Sequence, residues 1–274
     1  MGSEMGYDIY GIDFSGAERA GEKVWVASAR DEGDALVVDR VEPASERFGV
    51  TERAAVHEAL VDFLAGSDAA AVGLDFPFGL PADFVEADDW TDFCARFGER
   101  FADPEDFRES CLEAADGTHE RRETDERVDA LSPYHFVVQN QTFYGIRDVL
   151  APLRERGVPV EPMAGVDADG ASETGPHVCE TYPAGVLDHY ALFREGYTGD
   201  DRSAANKRAR NFDGIERCTA IEYEDRDALR ETVKQDEEGD ALDAVLCAIA
   251  AAHAREDGYD PGADYDPIEG HIYV

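Results

Sequence analysis

The sequence is poor in lysine: only Lys23, Lys207 and Lys234 occur among its 25 basic residues, which face 62 acidic residues in a chain of 274. The formal net charge is −37. An acid-rich, lysine-poor surface is typical of proteins that work in molar salt, where the Debye length falls to about 3 Å and self-repulsion is screened. We therefore interpret the charge as a halophilic adaptation and expect no long-range attraction for polyanions.

Long apolar runs, a signal-peptide pattern and C-x-x-C pairs are also missing. No run approaches the roughly 18 apolar residues of a membrane span. The cysteines are odd in number, which favours reduced thiols in a cytoplasmic protein over a disulfide framework. With 43% hydrophobic residues, the chain is expected to fold and not to be disordered. The five cysteines are Cys94, Cys111, Cys179, Cys218 and Cys247.

The order of the predicted elements indicates an α/β fold. Three strand-like runs come first, at residues 7–14, 23–30 and 35–41, and their short connections favour an antiparallel meander. A helix over 51–64 follows, with Thr51 as its expected N-cap, and a fourth strand over 70–76 ends at Pro and Gly. A fifth strand is predicted at 177–183 and a last helix at 239–254.

Between the fourth and fifth strands the pattern changes. Residues 86–141 are charged and mainly helical in character, with no strand pattern, and we interpret them as an insertion. A helix over 142–156 and a loop over 163–175 rich in Gly, Asp and Ser follow. No internal repeat or low-complexity tract occurs. The expected organisation is one domain over 1–274 with a helical insertion.

Acidic residues stand at the ends of three predicted strands. Asp13 closes the first in "GIDFSGA", Asp75 closes the fourth in "GLDFPFGLP", and Glu180 lies at the end of the fifth in "CETYPAG". If the first and fourth strands are parallel neighbours, their carboxyl ends lie side by side, where ligands gather in α/β sheets. Taken singly, each aspartate has a local alternative, because Asp before Ser-Gly or near Pro often makes an Asx-turn.

A second acidic pair enters the interior on the last helix. The stretch "GDALDAVLCAIAAAHA" places Asp240 and Asp243 three residues apart before nine residues without a polar side chain. Such a segment is apolar all round, which predicts a helix buried on every side. The pair has two interpretations: capping of the first helical turn, where acidic side chains interact favourably with the helix dipole, or participation in a catalytic cluster.

Together these residues point to a metal site. Four carboxylates away from water are too costly to leave ionised and unpaired, and a divalent cation would neutralise them. Oxygen donors without histidine spacing favour Mg²⁺ or Mn²⁺ over zinc. Two such ions about 3.5 to 4 Å apart hydrolyse phosphodiester bonds in many enzymes.

These motifs and the order of the elements resemble a family of predicted RNase H-like nucleases, and the last helix is similar to the final helix of RuvC-type resolvases. The resemblance covers most of the chain except the insertion. It implies an RNase H-like, mixed five-stranded sheet in the order 3-2-1-4-5. It further implies that Asp13, Asp75, Asp240 and Asp243 are the metal ligands. Glu180 matches a family motif, and we include it by proximity with the four aspartates in the candidate catalytic set, without an assigned role.

Two further stretches are possible substrate contacts. "DRSAANKRARNFDGIER" runs against the global charge, and Lys207 and Arg210 are expected to contact phosphate; the resembled family has a lysine and an arginine in a similar place. The alternative is a solvated helix face. "VVQNQTFYGIRD" offers three amides, Gln139 to Gln141, before an aromatic pair, which could stack and read a base. The alternative there is a helix N-cap with Phe143 in the core.

Two rival functions remain open from the sequence. An ATP-binding phosphotransferase of the actin and sugar-kinase type also begins with a strand ending in aspartate, but it needs two such lobes and only one is found. A non-catalytic RNase H-fold binding protein would keep the fold without the chemistry. The expected partner is a nucleic acid or a nucleotide-like substrate, and its type and the oligomeric state stay undefined.

Overall fold

The computed structural model describes residues 8–69, 71–163, 176–262 and 265–274. The predicted loop over 163–175 therefore lies outside the described residues except for its first position. The mixed α/β class is confirmed, because one sheet is flanked by helices on both faces. Within the described ranges no helix is long and apolar enough to cross a membrane.

Eight strands of the described residues form the sheet. The first three form an antiparallel meander, and a helical crossover leads from the third to the fourth, which is parallel to the first. The strands are β1 (Ile9–Asp13), β2 (Trp25–Asp31), β3 (Leu36–Pro43), β4 (Ala71–Asp75), β5 (Val160–Glu161), β6 (His177–Thr181), β7 (Ile221–Tyr223) and β8 (Ile272–Tyr273).

The complete strand order differs from the prediction. It runs β5-β6-β4-β1-β2-β3-β7, with β8 also paired to β6. The five predicted strands are adjacent within it, but β5, β7 and β8 extend the sheet. These three strands are two or three residues long, too short for an alternating pattern to reveal them.

Helices make up most of the remaining chain. They are α1 (Ala44–Phe48), α2 (Arg53–Ala65), α3 (Trp90–Arg100), α4 (Pro104–Ala114), α5 (Glu123–Val128), α6 (Gln139–Gly145), α7 (Ala151–Glu155), α8 (Pro183–His189), α9 (Arg202–Cys218), α10 (Arg226–Gln235) and α11 (Asp240–Glu256). One π-helical turn, Ile146–Leu150, joins α6 to α7, so the predicted helix over 142–156 is present but begins earlier.

Thr51 is not the N-cap of α2. The helix begins one residue later than expected, with Glu52 in the cap position and no side-chain hydrogen bond there. The Thr51 carbonyl instead accepts a hydrogen bond from Gly21 N at 3.0 Å, and Arg53 N donates to the Glu18 carbonyl. Contacts with the loop after β1 therefore satisfy the start of this helix.

Each face of the sheet carries its own apolar core. On one face α2 and the aromatic side chains of the insertion pack against β1 and β4. On the other face α11 lies across β1, β4 and β2. Helices α3 and α4 lie in the stretch that the sequence interpretation treats as an insertion, and their Phe93, Phe97 and Phe107 are buried in the same cluster as Ile12 of β1.

Two glycines let α11 rest directly on the sheet. Gly11 of β1 and Gly73 of β4 are partners in the parallel register. A Cβ atom at Gly11 would lie 2.1 Å from the Ala244 carbonyl oxygen, and one at Gly73 would lie 2.4 Å from the Cys247 carbonyl oxygen. Because real Cβ atoms do not approach backbone so closely, any larger residue would push the helix away. The backbones of the helix and the two strands are thus in direct contact.

Candidate functional site

Asp13 and Asp75 lie side by side at one edge of the sheet. They are the last residues of β1 and β4 and are partners in the parallel register. The two carboxyl groups are close enough for the charge of Asp75 to raise the pKa of Asp13, after the larger effect of burial. Asp13 is buried, whereas Asp75 is partly exposed. The strand ends that the sequence singled out therefore form one pair.

The first turn of α11 brings the second pair toward the first. Asp240 and Asp243 are both partly exposed. Their charges raise the pKa of Asp13, and so does the charge of the nearby Asp236. Asp236, which precedes the helix, accepts a hydrogen bond from Ala241 N at 2.8 Å, while Asp240 and Asp243 lie in the first turn, where acidic side chains also interact favourably with the helix dipole. The four predicted carboxylates thus come together.

The cluster retains protons to unusually high pH. Burial, followed by repulsion from its acidic neighbours, raises the pKa of Asp75 to about 7. Burial and the nearby Asp236 and Glu238 raise the pKa of Asp240 to about 7. The pKa values of Asp13 and Asp243 are also raised well above the usual range, first by burial and then by the other carboxylates. Each ionised member therefore opposes ionisation of the next.

Tyr197 orients one member of the cluster. Its hydroxyl donates to Asp243, with oxygen separations of 3.0 and 3.2 Å, and its ring packs against Gly239 at the start of α11. Burial and the adjacent Asp243 raise the pKa of the Tyr197 hydroxyl far above its usual value, which keeps it protonated as a donor. Asp243 is held by a neutral group and not by a cation.

Arg208 in turn fixes the segment that carries Tyr197. This side chain is 1% exposed and donates to the backbone carbonyls of Tyr197 at 2.5 Å and Gly199 at 3.0 Å. It also donates to the carbonyl of Lys234 at 2.9 Å. The guanidinium therefore ties the loop before α9 to the end of α10, immediately before the segment that leads into α11.

Lys23 is the basic side chain that acts on Asp240. It forms an ion pair with Glu238, and its charge opposes the rise in the Asp240 pKa. Reciprocally, the acidic neighbours hold the pKa of Lys23 above its usual value although burial would lower it. One of the three lysines thus lies at the margin of the cluster.

Glu180 belongs to a separate buried ion network. Its two oxygens accept from the Arg122 guanidinium at 2.6 and 2.8 Å, and one of them also accepts from Phe78 N at 2.9 Å. Arg122 pairs with Asp125 as well, at 2.6 Å, and all three side chains are almost fully buried. Glu180 is near enough to Asp75 to raise its pKa. Its direct partner, however, is the insertion, which Arg122 ties to β6.

Lys207 and Arg210 lie together around one aromatic ring, apart from the cluster's own contacts. Lys207 Nζ donates to the Glu195 carbonyl at 2.9 Å. The Arg210 guanidinium lies 4.5 Å from the centre of the Phe193 ring, and the Lys207 ammonium 5.7 Å from it. Arg210 is exposed. This arrangement is compatible with both alternatives that the sequence left open, a solvated helix face and a pair of cations that contact phosphate.

The three amides after Val138, Gln139 to Gln141, lie at the start of α6. Gln141 Nε2 donates to the Phe14 carbonyl at 2.7 Å, directly after Asp13. Phe143 is fully buried, as expected. The N-cap position of α6 is held by Val138 without a side-chain hydrogen bond, so the amides do not cap the helix.

The four aspartates fit a hard divalent cation by donor type. They supply only carboxylate oxygens, as Mg²⁺ and Mn²⁺ prefer, and their mutual repulsion would be relieved by positive charge. In the part of the chain that the structure describes, no group of three or more His, Cys, Asp or Glu side chains is arranged to hold a metal ion. The carboxyl groups would therefore have to lose protons and reorient before they could act as ligands.

The sequence missed the residues that support the cluster. Arg122, Tyr197 and Arg208 lie in segments without a recognisable motif, and each acts through partners far away in the chain. The arginine at 208 stood in the basic stretch, and its position between buried Ala204 and Phe212 on α9 is the one local signal that it faces inward.

Comparison with known proteins gives a family and a distant structural likeness. No curated protein matches the chain. The crystal structure of the yeast mitochondrial Holliday junction resolvase Ydc2 is similar with a TM-score of 0.42 and 12% identity, over 92% of this chain and 84% of that one. A family model matches residues 11–264, and the chain accordingly belongs to the family described as protein of unknown function DUF429.

Proposed function

We propose that this protein is a divalent-metal-dependent nuclease that hydrolyses phosphodiester bonds at the cluster of Asp13, Asp75, Asp240 and Asp243. The observation that carries the proposal is the meeting of two strand ends with the first turn of a buried helix. This meeting concentrates four carboxyl groups whose pKa values are raised first by burial and then by neighbouring carboxylates. Mutual repulsion among ionised carboxylates destabilises the folded protein unless a cation neutralises them, and this favours a metal-binding role for the cluster.

The side chains of this protein would position the cations. Asp13 and Asp75 would hold cations from the sheet, and Asp240 and Asp243 from the helix. Tyr197 keeps Asp243 in place by its hydrogen bond, and Arg208 keeps Tyr197 in place through the backbone. When bound, a pair of such ions supplies an activated water and stabilisation of the leaving oxygen. No side chain then needs to serve as general base.

Lys207 and Arg210 would act as phosphate contacts at a distance from the reacting bond. Their contribution is expected to be modest, because counterion effects weaken phosphate contacts in molar salt. Glu180 is proposed as a positioning residue that holds the insertion against the sheet through Arg122, and not as a catalytic residue.

Cleavage of a panel of labelled substrates tests the proposal. Single strands, duplexes, RNA–DNA hybrids and four-way junctions are incubated in molar KCl with Mg²⁺, Mn²⁺ or EDTA. We expect cleavage of at least one of them with a divalent ion and none in EDTA. Asp13→Asn is expected to lower the rate by about 100-fold or more, since even the outer partners of metal ligands are typically worth 10- to 100-fold.

Asp227→Asn is the matched control, because Asp227 is an exposed acidic residue in the first turn of another helix, α10. It should leave the rate unchanged. Cleavage that persists in EDTA, or an Asp13→Asn variant as active as the natural protein, would refute the mechanism. Absence of cleavage with every substrate and ion would favour a non-catalytic binding protein.

A further inference from the structure

An open cavity of about 530 Å³ lies between the insertion and the start of α6. Its lining includes the first turn of α4 together with Arg108, Phe136, Gln139, Asn140 and Tyr144. The volume falls in the range of about 300 to 1,000 Å³ that small-molecule sites occupy. Two aromatic rings, two amides and a guanidinium thus line the same cavity.

Phe136 is an unusual side chain for this surface. It is 64% exposed on a chain that is otherwise strongly acidic, and its neighbour Val137 is also exposed. The ring of His135 lies against it in a tilted arrangement with centroids 4.4 Å apart, and the ring of His119 lies 5.0 Å from that of His135, also tilted. An exposed aromatic ring held by neighbouring rings is a platform for stacking.

Two residues of the lining each carry a buried polar atom without a partner. Arg108 Nε and Gln139 Oε1 are buried polar atoms that no hydrogen bond satisfies among the described residues. Leaving such atoms unpaired costs stability, so each calls for a missing partner. A ligand whose edge carries both an acceptor and a donor would satisfy the two after small side-chain rotations.

The rim selects against negative charge. Asp103 and Glu105, both exposed, contribute to the lining, and Asp103 is already engaged as the N-cap of α4. A phosphate would be repelled there. The part of a nucleotide that fits is therefore its base, which is planar, uncharged and edged with donors and acceptors.

One residue of the cavity lining, Asn140, packs against the turn that follows Asp13. A Cβ at Gly16 would lie 2.5 Å from the Asn140 carbonyl oxygen, so α6 is packed directly on the turn that follows Asp13. Arg53 reinforces this contact, since it donates to the Gly16 carbonyl at 3.0 Å and lies 3.8 Å from the centre of the Tyr144 ring. A base in the cavity would be anchored to the same turn as the proposed catalytic aspartate.

We propose that this cavity binds an unpaired nucleobase, stacked on Phe136 and hydrogen-bonded by Arg108 and Gln139. The inference rests on the proposed nuclease function and names its substrate class: a strand with at least one unpaired base near the scissile phosphate. The insertion then acts as the substrate-recognition element of the site.

The test is binding of a single strand that carries one 2-aminopurine, measured by fluorescence in molar KCl and EDTA so that no cleavage occurs. We expect quenching by the natural protein. Phe136→Ala should weaken binding about 5- to 150-fold, which is the usual contribution of one base–aromatic stack. Val137→Ala is the matched control, as Val137 is 57% exposed beside Phe136 and should leave affinity within about twofold. An abasic strand should bind weakly and be insensitive to Phe136→Ala.

Two further arms separate this inference from the nuclease proposal: cleavage by the natural protein with Mn²⁺, and binding of free adenosine, which carries the base without a phosphate. Cleavage together with equal strand binding by Phe136→Ala would overturn the cavity assignment and leave the nuclease standing. Phe136-dependent binding of nucleoside or strand without any cleavage would support the cavity and remove the nuclease. If neither strand nor nucleoside binds, the cavity assignment falls and the cleavage arm alone decides the nuclease proposal.

Discussion

Asp243 is positioned by a chain of contacts that ends far from the cluster. Tyr197 donates to it, and the buried Arg208 fixes the carbonyl of Tyr197. Since the tyrosine hydrogen bond also lowers the pKa of Asp243 against the effect of burial, it makes the carboxylate more available to a cation. Groups of this kind, which hold a ligand without touching the metal, commonly affect affinity strongly.

Tyr197→Phe is expected to weaken Mn²⁺ binding about 10- to 100-fold while the protein stays folded. The loss of the donor should also move the pH at which Mn²⁺ binds upward, because Asp243 then keeps its proton to higher pH. Calorimetric titration at several pH values measures both effects. An affinity and pH midpoint equal to those of the natural protein would show that Tyr197 only fills space.

The raised pKa values predict how stability depends on pH in the absence of metal. Asp75 and Asp240 keep their protons to about pH 7 in the folded protein, whereas unfolded aspartate releases its proton near pH 3.9. The folded state therefore binds more protons between about pH 4 and 7, and stability falls as pH rises through this window. His271 acts in the opposite sense, since burial lowers its folded pKa to about 4.

Comparison of Asp240→Asn with the natural protein isolates the aspartate contribution. Urea unfolding from pH 4.5 to 8 in EDTA and constant molar KCl should show the variant gaining stability over the natural protein, with a gain that grows with pH. Asp227→Asn, at an exposed position, should run parallel to the natural protein. A difference between Asp240→Asn and the natural protein that stays constant with pH would contradict the assignment.

At the scale of elements, the buried network of Arg122, Asp125 and Glu180 joins the insertion to β6. Removing one partner of a buried ion pair leaves an uncompensated charge and typically costs about 3 to 5 kcal/mol. Arg122→Met is therefore expected to lower the free energy of unfolding by about that amount, because it strands two carboxylates.

Glu180→Gln is expected to cost less than Arg122→Met, because the amide oxygen can still accept from the guanidinium and from Phe78 N. Chemical denaturation of both variants measures the difference. Equal and small losses, below about 1 kcal/mol, would mean that the network does not hold the insertion. Loss of activity without loss of stability in Glu180→Gln would instead return Glu180 to the catalytic set.

The strands that could be predicted are those whose apolar runs end at a turn-forming residue. Asp13 before Ser-Gly and Asp75 before Phe-Pro mark the ends of β1 and β4 because the local sequence alone stops the strand there. The burial of α11 followed from its lack of polar residues. The prediction of Thr51 as the N-cap of α2 was wrong, because backbone hydrogen bonds to the loop after β1 satisfy the start of this helix. The contact of Arg122 with Glu180 and that of Tyr197 with Asp243 could not be predicted, since the partners are separated by 58 and 46 residues.

For the whole molecule, the charge of −37 implies that folding depends on salt. As KCl is lowered from molar to about 0.1 M, the Debye length grows from about 3 Å to roughly 10 Å. The acidic groups then repel one another over longer distances, so self-repulsion grows. We expect the melting temperature to fall by several degrees or more along this series. Thermal melts across KCl concentrations decide the matter. A melting temperature that is flat, or that falls as salt is added, would contradict the halophilic interpretation.

We also propose that the chain folds as one domain with its insertion. The aromatic side chains of α3 and α4 share a buried cluster with β1 and α2. Neither part can keep that cluster dry alone, so both should unfold in a single transition followed equally by fluorescence and circular dichroism. Two separated transitions would show instead that the insertion is an independent unit.

The backbone contact of α11 with Gly11 and Gly73 limits how this protein can diverge in evolution. Because main-chain atoms set the separation of the helix from β1 and β4, the volume of neighbouring core side chains has little influence on it. Apolar residues elsewhere in the two cores can then exchange with one another while the distance between the strand-end and helix carboxylates is preserved. Substitution of either glycine would instead separate the two halves of the cluster in a single mutational step.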